Sequence, residues 1–144
     1  MSELLRPFTT EWADALRAAI NDDAAYRTSS AGWTWPVALV LDAEPSVGYG
    51  CEIAVQLWLE RGTCTAARIL EPSSCDAPIA LRASYATWKR VVRGDLDPVM
   101  AVMTGKVKLT GPVTLLLNQA GSARALVDCV RAVPTQFPDE AWSG

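Results

Sequence analysis

The sequence predicts an α+β fold, a five-stranded sheet with helices covering one face. Three observations carry that expectation. Apolar residues recur at helical spacing at both ends of the chain, the middle alternates with a period of two, and turn residues separate the alternating stretches. At 144 residues the chain has the length of one ordinary domain, here taken as residues 1–144. A chain of that length buries roughly 70% of the surface it would expose when unfolded.

The elements follow in order. After Pro7-Phe8, Thr9 or Thr10 can cap a helix in which Trp12, Ala15, Leu16, Ala19 and Ile20 share one face. Asn21-Asp22-Asp23 interrupts it and offers side-chain oxygens to the free amides of a second short helix through Tyr26, ending near Gly32. From Trp33 the period becomes two, with Trp35, Val37, Leu39 and Leu41 on one side of a first strand. Pro36 has no amide to donate to a ladder, which suits an edge. The second strand is clearer: Cys51, Ile53, Val55, Leu57 and Leu59 alternate with Glu52, Ala54, Gln56, Trp58 and Glu60, giving one core face and one mostly wet face. Arg61-Gly62 turns the chain, and residues 63–70 return antiparallel as the third strand.

Residues 71–76 have loop composition, and Ile79, Leu81 and Ala83 mark a short fourth strand. Ser84 caps a helix carrying Tyr85, Trp88, Val91 and Val92, which Gly94 ends. Asp97-Pro98 places a capping carboxylate and a first-turn proline before Val99, Met100, Val102 and Met103, closed by Gly105. Residues 106–110 alternate as a fifth strand with Lys106 and Lys108 outward. Residues 113–117 then form one apolar segment and 118–121 break it. Ser122 caps a last helix with Ala125, Leu126, Cys129, Val130 and Val133 on one face, stopped by Pro134. Phe137 and Trp142 should fold part of the tail back onto the body.

Composition excludes several functions. A net charge of −3, with no run among the thirteen Lys and Arg residues, offers nothing to a phosphate backbone, so nucleic acid is not an expected partner. No window approaches the roughly 20 apolar residues of a spanning helix, and the first six residues lack a cationic leader, so neither membrane integration nor secretion is expected. Cys51, Cys64, Cys75 and Cys129 form no CxxC pair, which reads as reduced thiols in a reducing cytosol and no metal site. There is no histidine, the usual base near neutral pH, nucleophile partner and metal ligand. Asp95 and Asp97 could be paired acids, but Asp97 before Pro98 is already explained as a cap. No catalytic residue and no cofactor is expected, and the chain does not read as an enzyme.

Three segments carry a resemblance: Ser84-Tyr85-Ala86-Thr87-Trp88; Gly94-Asp95-Leu96-Asp97-Pro98; and Met103-Thr104-Gly105-Lys106-Val107-Lys108-Leu109-Thr110-Gly111. In order and spacing they resemble the central signature of the sterol carrier, or nonspecific lipid-transfer, family. Thr104 stands where the family pattern has serine. The N-terminal helix with Trp12, Asn21 and Tyr26, followed by Gly32-Trp33, resembles bacterial and archaeal members, so the likeness spans about the whole chain. It implies a mostly antiparallel five-stranded sheet, an apolar cavity between sheet and helices, and an apolar small-molecule partner such as a fatty acyl lipid or sterol.

On that resemblance the ligand-binding candidates are Trp88, Met100, Met103, Leu115, Leu116, Leu117, Leu126 and Val130. Methionine adapts to irregular apolar surfaces, and Met103 in particular should touch ligand; ordinary core remains the competing reading of the same residues. Trp58, on the polar phase of its strand, reads as an interface or second-layer contact, and a homodimer stays open. The ending Trp142-Ser143-Gly144 is not a peroxisomal signal, which points to a prokaryotic cytoplasmic protein. The alternative from another class is an interaction module with the same fold and a cavity filled by its own side chains.

Overall fold

A computed structural model of the chain describes residues 4–140, so Trp142 lies outside the described residues. Helix α1 (Thr10–Asp22) starts where the Thr9 side chain accepts from the Trp12 amide, and α2 (Ala24–Ser29) starts where Asp23 accepts from the Tyr26 amide. Strands β1 (Val37–Leu41), β2 (Ile53–Glu60), β3 (Thr63–Leu70) and β4 (Ile79–Ala83) follow. Helices α3 (Tyr85–Val92) and α4 (Pro98–Met103) are capped by Ser84 and Asp97. Then come β5 (Lys108–Thr110), α5 (Val113–Asn118) and α6 (Ala120–Ala132). Short 3-10 turns occupy Pro45–Val47, Pro72–Ser74 and Pro138–Glu140.

The sheet order is β3-β2-β1-β4-β5. All neighbours run antiparallel except β1 and β4, which are parallel with Val37 opposite Ile79. The β2–β3 hairpin closes through Arg61 and Gly62, both at positive φ (49° and 87°), the conformation whose twist matches the flanking strands. A Cβ on Gly62 would also come within 2.7 Å of the Arg27 backbone, so glycine is required there on two counts.

Pro36 was expected to mark an edge; instead the strand it precedes is the centre of the sheet, paired on both sides and buried along its whole length. The proline lies before the first ladder residue, where its missing amide costs no pairing. A second correction concerns the face of β2 expected to be wet. Ala54 and Gln56 on that face are fully buried, because the crossover from β3 to β4 lies over it. Cys75 and Ala77 of the crossover pack on Ala38, Val40, Ala54 and Ala80. Gln56 pins the crossover in both directions, donating to the Asp76 carboxylate at 2.7 Å and accepting from the Asp76 amide at 3.1 Å. Further along this face Arg82 bridges Asp42 and Glu52, and Trp58 is half-buried with the Arg68 guanidinium 5.9 Å from its ring centre.

The opposite face, lined by Val37, Leu39, Leu41, Val55, Leu57, Leu59, Ile79, Ala83 and Leu109, meets the helices. Helix α1 lies on β3 and α6, and α6 touches every other helix. Its start differs from expectation: Ser122 lies inside α6 and does not cap it, because the helix begins at Ala120 directly after α5. Strand β5 is also shorter than expected, leaving Lys106 in the turn before it. Cys51, Cys64, Cys75 and Cys129 are all free, with Cys64 and Cys129 buried.

The end of α1 is clipped to β3 by Asn21, whose side chain donates to the Cys64 carbonyl at 3.0 Å and accepts from the Cys64 amide at 2.8 Å. Asn21→Ala removes the partner of the Cys64 amide and leaves the carbonyl with only the longer 3.3 Å bond from Arg17 Nε, and should cost about 1 to 3 kcal/mol in a urea melt. A change below about 0.5 kcal/mol, the range of ordinary surface substitutions, would show that the clip is not needed.

Candidate functional site

Between the sheet and the helices the core does not close. A void of about 70 Å³ remains, with wall residues from both layers. The sheet contributes Val37, Leu39, Leu41, Leu59, Ile79 and Leu81. Alternation along β1 and β4 puts every second residue on that side, so the sheet wall is aliphatic throughout. Helix α3 contributes Trp88, Val91 and Val92, and α6 contributes Leu126, Val127 and Val130 from successive turns of one stripe. Pro98, Val102 and Val107 around α4 and Leu116 of α5 complete the helical side.

Aromatic rings close the N-terminal side. Phe8 holds a positive φ of 61°, uncommon for a bulky residue and worth about 1 to 3 kcal/mol of strain. The turn lets its ring stack on Trp12 at 5.3 Å and approach Trp88 at 6.3 Å. The tail completes this wall. Leu5 pairs with the 134–136 backbone, Trp12 Nε1 donates to Thr135 Oγ1 at 3.1 Å, and Phe137 meets Tyr85 edge-on at 6.1 Å. Asp139 then locks the strap, accepting from Tyr85 Oη at 2.6 Å and from Lys89 Nζ at 2.8 Å.

The wall is apolar except at a few hydroxyls. None of its residues carries a charge. Trp88 satisfies its indole by donating to the Val40 carbonyl at 2.9 Å, so its ring presents only carbon to the void. Such a surface has no base, no nucleophile–base pair and no metal ligands. Among the described residues no cluster of His, Cys, Asp and Glu could hold a metal ion. What it can do chemically is remove apolar surface from water.

Of the residues singled out from the sequence, Trp88, Leu116, Leu126 and Val130 lie together in the wall. Leu115 is partly buried against the core without lining the void. Met100, Met103 and Leu117 are 53%, 55% and 46% exposed and lie outside the wall. Helix α4 turns Val99 and Ala101 inward, which carries Met100 and Met103 to its outer side. The expected contact of Met103 with the void is therefore not part of this geometry. Sequence reasoning passed over the sheet wall and the rings of Phe8, Tyr26 and Phe137. The inward phase of β1 was a usable signal, whereas nothing local marks Phe8 or Phe137 as wall residues.

A family model described as the SCP-2 sterol transfer family matches residues 13–123. The chain belongs to that family. A crystal structure of sterol carrier protein 2 is similar with 33% identity, covering 89% of this chain and 99% of that one at a TM-score of 0.84. The solution structure of a conserved hypothetical protein from Thermus thermophilus is similar with 32% identity, covering 94% of each chain at a TM-score of 0.84. Sterol carrier protein 2 from Yarrowia lipolytica, in its apo form, shares the fold at 20% identity and a TM-score of 0.58, covering 92% of this chain and 99% of that one. No match was found among curated proteins. The family is a lipid-carrier fold, in keeping with an apolar space between the layers.

The strap gives the site a pH dependence. Hydrogen bonds from Lys89 and then Tyr85 hold the Asp139 carboxyl below its ordinary value of 3.8. A depressed folded value means that this contribution is complete above the ordinary value and is lost as pH falls through the folded one. Lowering the pH from about 6 to about 3 should therefore destabilise the wild type more than Asp139→Asn, which begins less stable. Parallel acid profiles for the two proteins would show that the strap is not held by this carboxylate.

Proposed function

We propose that this protein binds an apolar small molecule, such as a fatty acyl lipid or a sterol, in the void between sheet and helices, and that it carries the molecule without catalysing a reaction. The observation that carries the reading is a space with an apolar wall, drawn from both layers, that the protein's own side chains leave unfilled. Native interiors seldom hold spaces larger than a water molecule, and apolar cavities stay dry. The void here, about 70 Å³, exceeds the space that one water needs. The absence of charge and of any base on the wall favours binding over chemistry. The proposal takes residues 1–144 as one domain of a prokaryotic cytoplasmic protein, and among the described residues no helix is long and apolar enough to cross a membrane.

One observation favours the second reading, an interaction module with a filled cavity. The void is smaller than the roughly 300 to 1,000 Å³ of most small-molecule sites. On the carrier reading a long ligand must part the helical wall from the sheet as it enters.

Val130→Phe adds a ring where the wall faces the void and separates the two readings. On the carrier reading it occupies ligand space, weakens uptake of a fluorescent fatty acid about tenfold or more, and costs less than about 1 kcal/mol in a urea melt. On the filled-core reading the added volume costs about 1 to 3 kcal/mol. In that case there is no uptake to lose. Native mass spectrometry after incubation with a cell lipid extract should show a bound apolar species in the wild type, and finding none would count against the carrier.

A further inference from the structure

We infer that Tyr26 and Ser122 in the wall of the void, with Ser30 behind them, form a polar seat that takes the single neutral oxygen, hydroxyl or carbonyl, of an otherwise apolar ligand. This rests on the carrier reading above and narrows it.

The three hydroxyls come together because α2 packs on α6. Tyr26 lies in the middle of α2, Ser30 is its C-cap residue, and Ser122 lies in the first turn of α6. Tyr26 and Ser122 both belong to the wall of the void. Ser30 Oγ and Ser122 Oγ are 2.6 Å apart, and Tyr26 and Ser30 are 0% exposed. Tyr26 Oη is the anomaly. Among the described residues it is the buried side-chain polar atom without a hydrogen-bond partner. It lies near both serines, whose weak hydrogen bonding partly offsets the burial that pushes the phenol up to about 12, but neither closes a well-formed hydrogen bond with it.

A clip between α2 and α6 accounts for the serine pair but not for the phenol. Phenylalanine would give the same packing without the cost of an unpaired buried hydroxyl. Counting protons points the same way. Two serines sharing one hydrogen bond use one O–H, which leaves the second serine proton and the Tyr26 proton to donate. Two donors at one place in an apolar wall suit one oxygen with two lone pairs.

The charge of that oxygen follows from its surroundings. No wall residue is cationic, so a carboxylate placed here would be buried without a partner. The titratable groups that act on the Tyr26 phenol are Cys64 and Cys129, and burial pushes their thiols up to about 11 and about 12, so both are neutral near pH 7. Asp23, beside Cys129, already accepts from the Tyr26 amide at 2.8 Å as the α2 cap. The ligand class is therefore an apolar chain or ring bearing an alcohol, ketone or ester carbonyl. A free fatty acid would have to keep its ionised end elsewhere.

The test displaces a bound fluorescent apolar dye with decanol, methyl nonyl ketone and decane, using the full chain and its Tyr26→Phe and Ser122→Ala variants. The alcohol and the ketone should bind the wild type more tightly than decane. Tyr26→Phe should weaken both about 3- to 10-fold, the worth of one hydrogen bond, and leave decane unchanged. Ser122→Ala should act in the same direction. In the absence of ligand, Tyr26→Phe should be at least as stable as the wild type, because it removes an unpaired group. An equal loss for decane, no loss for the alcohol and the ketone, or a clear fall in ligand-free stability would each overturn the seat. If the wild type binds neither the dye nor any of the three compounds, the carrier reading itself fails and the seat falls with it.

Discussion

Strand β1 is the constraint around which the molecule is arranged. Its residues, Val37–Leu41, are apolar in both phases, so the strand must be dry on both faces and paired on both edges. One face requires helices and the other requires something thinner. The 71–78 crossover supplies the second cover by returning β4 parallel to β1, and Gln56 holds it down through Asp76. The single parallel pair in the sheet thus belongs to the same solution as the buried glutamine. An antiparallel hairpin into β4 would leave Ala38, Val40 and Ala54 facing water.

On the helical side one element is shared by every wall. Helix α6 touches α1 through α5, and its apolar stripe faces the inward phase of β1 and β4 across the void. The helices are mostly short, so their positions depend on packing against α6 and on their caps more than on intrinsic helix stability. The aromatic strap from Phe8 to Phe137 is held by a hydrogen bond at Thr135, in the wall, and by the charged pair Asp139 and Lys89 outside it. The charged part of the fastening is therefore kept out of the apolar interior. That separation lets the wall remain uncharged without leaving the tail unattached.

Features governed by local chemistry were legible in the sequence. The caps at Ser84 and Asp97 and the Arg61-Gly62 turn each act within a few residues and appear where the pattern placed them, and the caps at Thr9 and Asp23 fall within the short runs, Thr9-Thr10 and Asn21-Asp22-Asp23, that offered them. Features decided by distant packing were not. Pro36 is compatible with a central strand because it lies one residue outside the ladder, a fact that depends on where pairing begins. Ser122 looked like a cap, but its hydroxyl is matched to Ser30, ninety-two residues away in the chain. The same divide runs through the site. Leu126 and Val130 follow from a helical stripe, whereas only their adaptability points to Met100 and Met103, a property that says nothing of which way α4 faces.

The central claim is that an apolar ligand occupies the space between sheet and helices. The direct measurement is intermolecular magnetisation transfer from protonated decanol to the methyl groups of otherwise deuterated protein. Transfer to Leu39, Leu81, Val102, Leu126 and Val130, which face the void, is the predicted result. Transfer confined to Met100, Met103 and Leu117 would place the ligand on the outer surface of α4 and α5 and contradict the account.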